Sequence, residues 1–184
     1  GTINPTLSDG ILSVVDSSTA SYIAYSINKD IKPEDFYAVE FELKVIDASN
    51  FGTSVTNVPP YIGIRDGEQS IAIALRPDSL RDGLVNGTVK NIILNDNFHR
   101  LKLIKYGRKK WELYVDEKLF LSGDAFDTTK TAPQVMFGAG SSSGSGKIDI
   151  RSIKVNEIIT YKEKWENVSA TLPASRQFLS DGMD

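Results

Sequence analysis

Apolar and polar residues alternate in short blocks along most of this chain, and Gly, Asp, Asn and Pro separate the blocks. A period of two belongs to half-buried β-strands, and the wider spacing of helices is scarce. The pattern predicts strands at ILSVVD from Ile11, SYIAYSI from Ser21, FYAVEFELKVI from Phe36, YIGIRD from Tyr61 and SIAIALRP from Ser70. FHRLKLIKY from Phe98, KWELYVDE from Lys110, KLFLSGD from Lys118, PQVMFGAG from Pro133 and KIDIRSIKV from Lys147 bring the series to about ten. Turns about every ten residues without helices between them imply an all-β, two-sheet antiparallel sandwich. Two hairpins carry their own signal: Asp66-Gly67 suits a turn with positive φ, and Gly107 in YGRKKW supplies a glycine for a bulge.

Composition narrows the class. The 184 residues are 40% apolar and 24% charged with a net charge of -3, the balance of a globular chain. That acidity excludes a nucleic-acid footprint, which needs a basic face. With no cysteine, disulfides and zinc–cysteine clusters are excluded and the core must carry the fold alone. No apolar run reaches the ~18 residues of a membrane span. The pattern places a sandwich over residues 1–158, with the Gly/Ser stretch from Gly138 to Gly146 as a hairpin loop. Residues 159–184 alternate poorly. They form a segment either packed on the sandwich through Trp165 and Phe178 or leading to a linker and neighbouring domains of a longer chain.

The unit NDNFHRLKLIKYGRKKWELYVDEKLFLSG is similar to the central hairpins of concanavalin A-like and laminin G-like domains, in which an aromatic-His strand precedes an LYVDGK strand. The matching positions are Phe98-His99, Leu101, Leu103 and Leu113 to Asp116. Glu117 stands where that family usually has glycine, an exchange expected to alter the turn and not the fold. YAVEFELKV and the closing GAGSSSGSGKIDIRSIKV extend the resemblance over roughly Asp9 to Val155. It implies a jelly-roll sandwich. Because such domains occur in enzymes, lectins and spacers alike, it does not by itself name a ligand.

Candidate chemistry follows from which face each strand residue takes. His99, the sole histidine, is in phase with Leu101 and Leu103 and is expected to be a packed, hydrogen-bonded strand residue. GSSSG at Gly140 to Gly144 matches a nucleophile-elbow spacing, but that motif requires a strand-to-helix turn and none is predicted here. Glu40 and Glu42 share a face, about 7 Å apart. Glycosidase carboxylates stand about 5 to 9.5 Å apart, so a hydrolase would use Glu40, Glu42 or Glu112. The laminarinase-type signature that the resemblance brings would need Asp at 42 and Glu at 45, and the chain has Glu42 and Val45. The expected reading is a solvated strand face.

The same alternation puts Tyr61, Gly63 and Arg65 on one outward row, Ala72, Ala74 and Arg76 on the next, and Glu112 and Tyr114 on another. Side by side, these rows would make a small-residue floor walled by Tyr61, Arg65, Arg76, Tyr114 and Glu112, suited to a poly- or oligosaccharide. Otherwise the arginines pair locally with Asp66, Asp78 or glutamates. Trp111 falls in phase with Leu113 and Val115 and belongs to the core. Relatives commonly place a calcium carboxylate on the last strand. Arg151 occupies that position here, which leaves Asp149 as the candidate for a structural calcium. Asn86-Gly87-Thr88 and Asn167-Val168-Ser169 fit the glycosylation sequon. The resulting expectation is a non-catalytic carbohydrate-binding or accessory module of an extracellular or cell-surface bacterial protein. A glycoside hydrolase and a structural or protein-interaction module are its rivals.

Overall fold

Phe36–Ala48 carries the clearest alternation in the chain, and in the computed structural model it is a 13-residue strand. Its Tyr37, Val39, Phe41, Leu43 and Val45 are buried in the core. The structure describes residues 5–17, 24–49, 59–83, 87–128, 132–139 and 144–158. Among them are fourteen strands and no helix. In chain order these are β1 (Thr6–Ser8), β2 (Ile11–Asp16), β3 (Ala24–Asn28), β4 (Phe36–Ala48), β5 (Tyr61–Arg65), β6 (Gln69–Arg76) and β7 (Ser79–Asp82). Then come β8 (Val89–Asn91), β9 (His99–Tyr106), β10 (Lys110–Val115), β11 (Lys118–Asp124), β12 (Phe126–Asp127), β13 (Gln134–Gly138) and β14 (Gly146–Ile158). Among the described residues no helix is long and apolar enough to cross a membrane.

The strands form two antiparallel sheets, one ordered β1-β2-β14-β4-β9-β10-β11 and the other β3-β13-β5-β6-β7-β8, with β12 pairing β6. This is the two-sheet sandwich expected. Each of the ten predicted blocks carries a strand among the described residues, with Ser21 to Ile23 and Gly140 lying outside them. The four unpredicted ones, β1, β7, β8 and β12, have two to four residues each, too few to show a period. Both predicted hairpins are present: β5 and β6 flank Gly67 (φ 97°), and β9 and β10 flank Gly107 (φ 53°). The β10–β11 turn holds Asp116 (φ 47°) and Glu117 (φ 69°), both left-handed without being glycine.

The inner faces interlock across the sandwich. Phe41 of the first sheet meets Phe137 of the second edge-on at 6.2 Å, and Tyr25 stacks on Phe137 at 5.5 Å. Trp111 lies in this core, as its phase required. Burial of each such side chain contributes about 1.5–3 kcal/mol. In β14 the apolar phase shifts from Ile148 and Ile150 to Ile153 and Val155, and the register against β4 slips between Ile150 and Ser152. Arg151 is the inserted residue of that bulge.

One end of the sandwich is closed by a cation. Lys105 of β9 reaches Asp66, in the β5–β6 turn, at 3.1 Å, and both side chains are almost wholly buried. Its ammonium also donates to the carbonyls of Pro33 (2.6 Å) and Gly107. Asp66 Oδ1 in turn accepts the amides of Glu68 (2.9 Å) and Gln69 (2.7 Å). Burial pushes the Lys105 pKa down against the opposing pull of Asp66. The pair ties the two sheets together and fixes the turn that follows Arg65.

Candidate functional site

Alternation gives each sheet an inner and an outer face, and the register places the outer residues in rows. On the first sheet the outward positions are charged around Glu40 and Glu42 and apolar at Phe36, Ala38 and Ile104, which form a second buried cluster with Tyr106 and Tyr114. Glu40 is only 4% exposed, held by Arg100 Nε at 3.4 Å and Lys154 Nζ at 3.5 Å. It is therefore not on the solvated face expected of it. Glu42 accepts from Arg151 Nη1 at 2.6 Å, and the Arg151 guanidinium lies 4.0 Å from the Phe98 ring centre. Glu112 accepts hydroxyl hydrogen bonds from Tyr106 and, at 2.7 Å, from Tyr114. Burial and that bond to Glu112 push the Tyr106 pKa well up. A pocket of about 280 Å³ on this side is lined by Glu42, Phe98, Arg100, Asp116 and Glu117. Its charges are already matched, Glu42 by Arg151 and Glu117 by Arg100 at 3.4 Å.

His99 is the hydrogen-bonded strand histidine that its phase predicted. Nδ1 meets Asp116 at 2.7 Å and Nε2 meets Asp96 at 2.8 Å. Burial disfavours the charged ring, but the two carboxylates outweigh it and the His99 pKa is raised. The ring joins the loop before β9 to the β10–β11 turn.

Asp149 also lies on the outer side of the first sheet, where Ser13 donates to Oδ1 at 2.5 Å and Lys147 Nζ stands 3.9 Å away. Calcium needs six to eight oxygens, several of them anionic. Among the described residues no group of three or more His, Asp or Glu side chains is placed to hold a metal ion. A single carboxylate already serving a hydroxyl and a lysine does not fit calcium.

The second sheet differs. Register pairs Arg65 with Gln134 on one side and with Ser70 on the other, and Ser70 with Phe126 of β12. Directly opposed residues share a face, so Gln134, Arg65, Ser70 and Phe126 form one outward row about 14 Å long. The next row holds Met136, Gly63 and Ala72, and the one beyond it Tyr61, Ala74 and Arg81. The small residues Gly63, Ala72 and Ala74 do fall on these neighbouring rows, and all three are buried. Gly63 has no room for a side chain, since a Cβ would stand 2.4 Å from the Ile71 carbonyl oxygen. Phe126 is an exposed aromatic (48%) at the row's end.

The predicted ligand set is thus divided. Tyr61, Arg65 and Arg76 lie on the outer face of the second sheet, Glu112 and Tyr114 on that of the first, with the whole core between them. Alternation within a strand fixes the face but not the sheet, and that is the physical reason the grouping fails. Arg76 pairs locally with Asp78 at 3.7 Å, as expected, but Arg65 does not pair with Asp66, whose carboxylate turns inward to Lys105. Sequence reasoning missed Ser70, Gln134 and Phe126. The first two are in phase with Ala72 and Met136 and were legible as outward positions. Phe126 sits in a two-residue strand that leaves no periodic signal. GSSSG except Gly144, both sequon asparagines, Trp165, Phe178 and the segment 159–184 fall outside the described residues.

No protein-family model matches the sequence, and no curated protein sequence does either. Solved structures do match in fold. A sialidase superposes with a TM-score of 0.58 at 12% identity, covering 83% of this chain and 16% of that one. The chain thus spans about a sixth of the sialidase's length. The Crh5 transglycosylase in complex with NAG gives 0.56 at 11% identity over 86% of this chain and 77% of its own. The Emp46p carbohydrate recognition domain, in a potassium-bound form, gives 0.51 at 12% identity over 83% and 85%. With its two antiparallel sheets and these structural counterparts, the chain has the concanavalin A-like jelly-roll fold.

Proposed function

We propose that the chain is a non-catalytic saccharide-binding module of an extracellular or cell-surface bacterial protein, with its ligand laid across the outer face of the second sheet. The observation that carries the reading is the row of Gln134, Arg65 and Phe126, each at least partly exposed, beside Tyr61 on the same outer face. Sugars present apolar ring faces to aromatics and hydroxyls to amide, guanidinium and hydroxyl groups, and this face offers each kind. Neighbours titled a sialidase, a transglycosylase in complex with NAG and a carbohydrate recognition domain support a saccharide ligand on this scaffold. The sialidase, of which the matching part is 16%, supports an accessory place beside a larger unit.

A hydrolase reading draws no support from the carboxylates. Glu40 is pinned by two cations, Glu42 by Arg151, and Glu112 by two tyrosine hydroxyls. A general acid or nucleophile needs its oxygens open to substrate. Calorimetry and a glycan array test the proposal. Binding at millimolar affinity or better is expected, weakened at least tenfold in Phe126→Ala with an unchanged melting temperature. Absence of binding across the array leaves only the spacer or protein-interaction role. Polysaccharide cleavage by the wild type that is lost in Glu42→Gln would overturn the non-catalytic reading.

A further inference from the structure

We propose that the saccharide taken by this face is acidic, its carboxylate or sulfate group held by the Arg65 guanidinium. The inference rests on the saccharide-binding reading above and names the ligand's class.

The first ground is the sign of the face. Among the described residues, the outward strand positions of the second sheet include Arg65, Arg76 and Arg81 but no aspartate or glutamate. Two of these arginines have protein partners: Arg76 faces Asp78, and Arg81 donates to the Gly83 carbonyl at 3.3 Å. The argument therefore falls on Arg65.

The second ground is where the nearby acids have gone. Asp66, next in the chain, is turned inward to Lys105 at 3.1 Å. Glu68 of the same turn takes Arg108 at 2.8 Å. Asp127, one residue from Phe126, accepts from Gln69 at 3.2 Å and lies 3.6 Å from Lys109. Among the described residues, the carboxylates next to Arg65 in the chain and across the β5–β6 turn are committed to other cations or amides.

The third ground is unmet hydrogen bonding. Arg65 Nε and Ser70 Oγ are buried and have no hydrogen-bond partner, and Ser70 is only 1% exposed. They belong to directly opposed residues, whose Cα atoms stand about 5 Å apart. A buried donor without an acceptor costs about 1–3 kcal/mol. Ser70 Oγ lies beneath a ligand's reach, but Arg65 as a whole is only half-buried, and an oxyanion accepting from its guanidinium makes a charge-assisted bond roughly twice as strong as a neutral one. A neutral sugar hydroxyl could satisfy the donors but would leave the charge unmatched.

The test is calorimetry of the full chain with oligogalacturonate, the same oligomer methyl-esterified, and a sulfated oligosaccharide. At least one acidic ligand is expected to bind tenfold or more tighter than the neutral ester and to weaken as salt rises from about 50 to 500 mM. The uronate and sulfate arms identify which oxyanion the site prefers. Arg65→Gln should erase the preference while Arg65→Lys keeps part of it, and matching melting temperatures would show that both variants fold. Equal binding of acid and ester, unchanged in Arg65→Gln, overturns the charge inference and leaves the saccharide module standing. No binding of any saccharide overturns both.

Discussion

The two outer faces of the sandwich arise from the same alternation yet reach opposite electrostatic states. On the first sheet glutamates and cations alternate from strand to strand, and Glu40, Glu42 and Glu117 each have a basic partner within 3.5 Å. On the second, the outward row ends in an exposed Phe126 and contains an Arg65 whose neighbouring acids are engaged elsewhere. The first face holds the carboxylates that invite an enzymatic reading, but they are satisfied by the protein itself. The second holds fewer chemically suggestive residues and more unmet valence. Residue type alone is a poorer guide to a ligand face than the balance of donors, acceptors and charge around each group.

The most damaging way to break this contrast is to remove the clasp that creates it. Lys105→Met leaves Asp66 buried without its cation, and such half-pairs cost about 3–5 kcal/mol. The released Asp66 would also be free to turn toward Arg65, so saccharide affinity should fall along with stability. Urea unfolding with an unchanged m-value and a midpoint lowered by that amount is the expected result. A loss below about 1 kcal/mol would mean the pair does not join the sheets. On the other face, Glu40→Gln should cost about 1–2 kcal/mol, less because Arg100 and Lys154 are half exposed and screened by water. Saccharide binding should not change. If Glu40→Gln abolished binding, the ligand would belong to the first sheet.

Much of this contrast could be read in the sequence one strand at a time, and almost none of it between strands. The phase of FYAVEFELKVI put Glu40 and Glu42 outward and Phe41 inward, as found. It could not reveal that Arg100 and Lys154 would close over Glu40, because those contacts span sixty and more residues and are set by sheet order. Tyr61 and Tyr114 each look like half of a groove in isolation, and sheet membership separates them. Trp111 and His99 were legible because phase alone decides whether a strand residue points inward. Ser70 was visible as an outward position, but its unmet hydroxyl emerges only when β5, β6 and β12 are assembled.

A smaller effect, confined to the first sheet, should appear with pH. The His99 pKa is raised above its ordinary 6.5, so its contribution is fully present below about pH 6.5 and is lost as pH rises through the folded value. Asp96 is shifted down by its bonds to His99 and the Asn97 amide, so its share is present above about pH 4 and is lost only in stronger acid. The Asp96–His99–Asp116 link should thus stabilise most between about pH 4 and 6.5. Melting temperature followed across pH 5 to 9 should decline in the wild type beyond what His99→Gln shows. Parallel curves for the two proteins would remove the histidine from the account. Saccharide affinity should not follow the His99 titration, since the ring serves the other face.

The smallest expected change is a gain. Glu117 occupies a left-handed conformation at φ 69° with no glycine to relieve it, at the tip of the β10–β11 turn. Left-handed backbone costs a side-chain-bearing residue about 1–2 kcal/mol. Glycine removes that strain but gives the unfolded chain about 0.5–1 kcal/mol of extra freedom, so the two terms nearly cancel. The Arg100–Glu117 contact, 3.4 Å long and with Glu117 largely exposed, adds little on the other side. Glu117→Gly should therefore stabilise by about 0.5 kcal/mol, a rise of one to two degrees for a domain of this size. Asp116 is not open to the same exchange, because its carboxylate holds the Arg100 amide at 2.9 Å and the His99 ring at 2.7 Å. Asp116→Gly should destabilise, although its φ of 47° is equally left-handed. Opposite signs at adjacent residues of one turn would separate backbone strain from side-chain tethering. If both substitutions destabilised, the contact with Arg100 would outweigh the strain at Glu117, and the charge matching of the first face would extend to its rim.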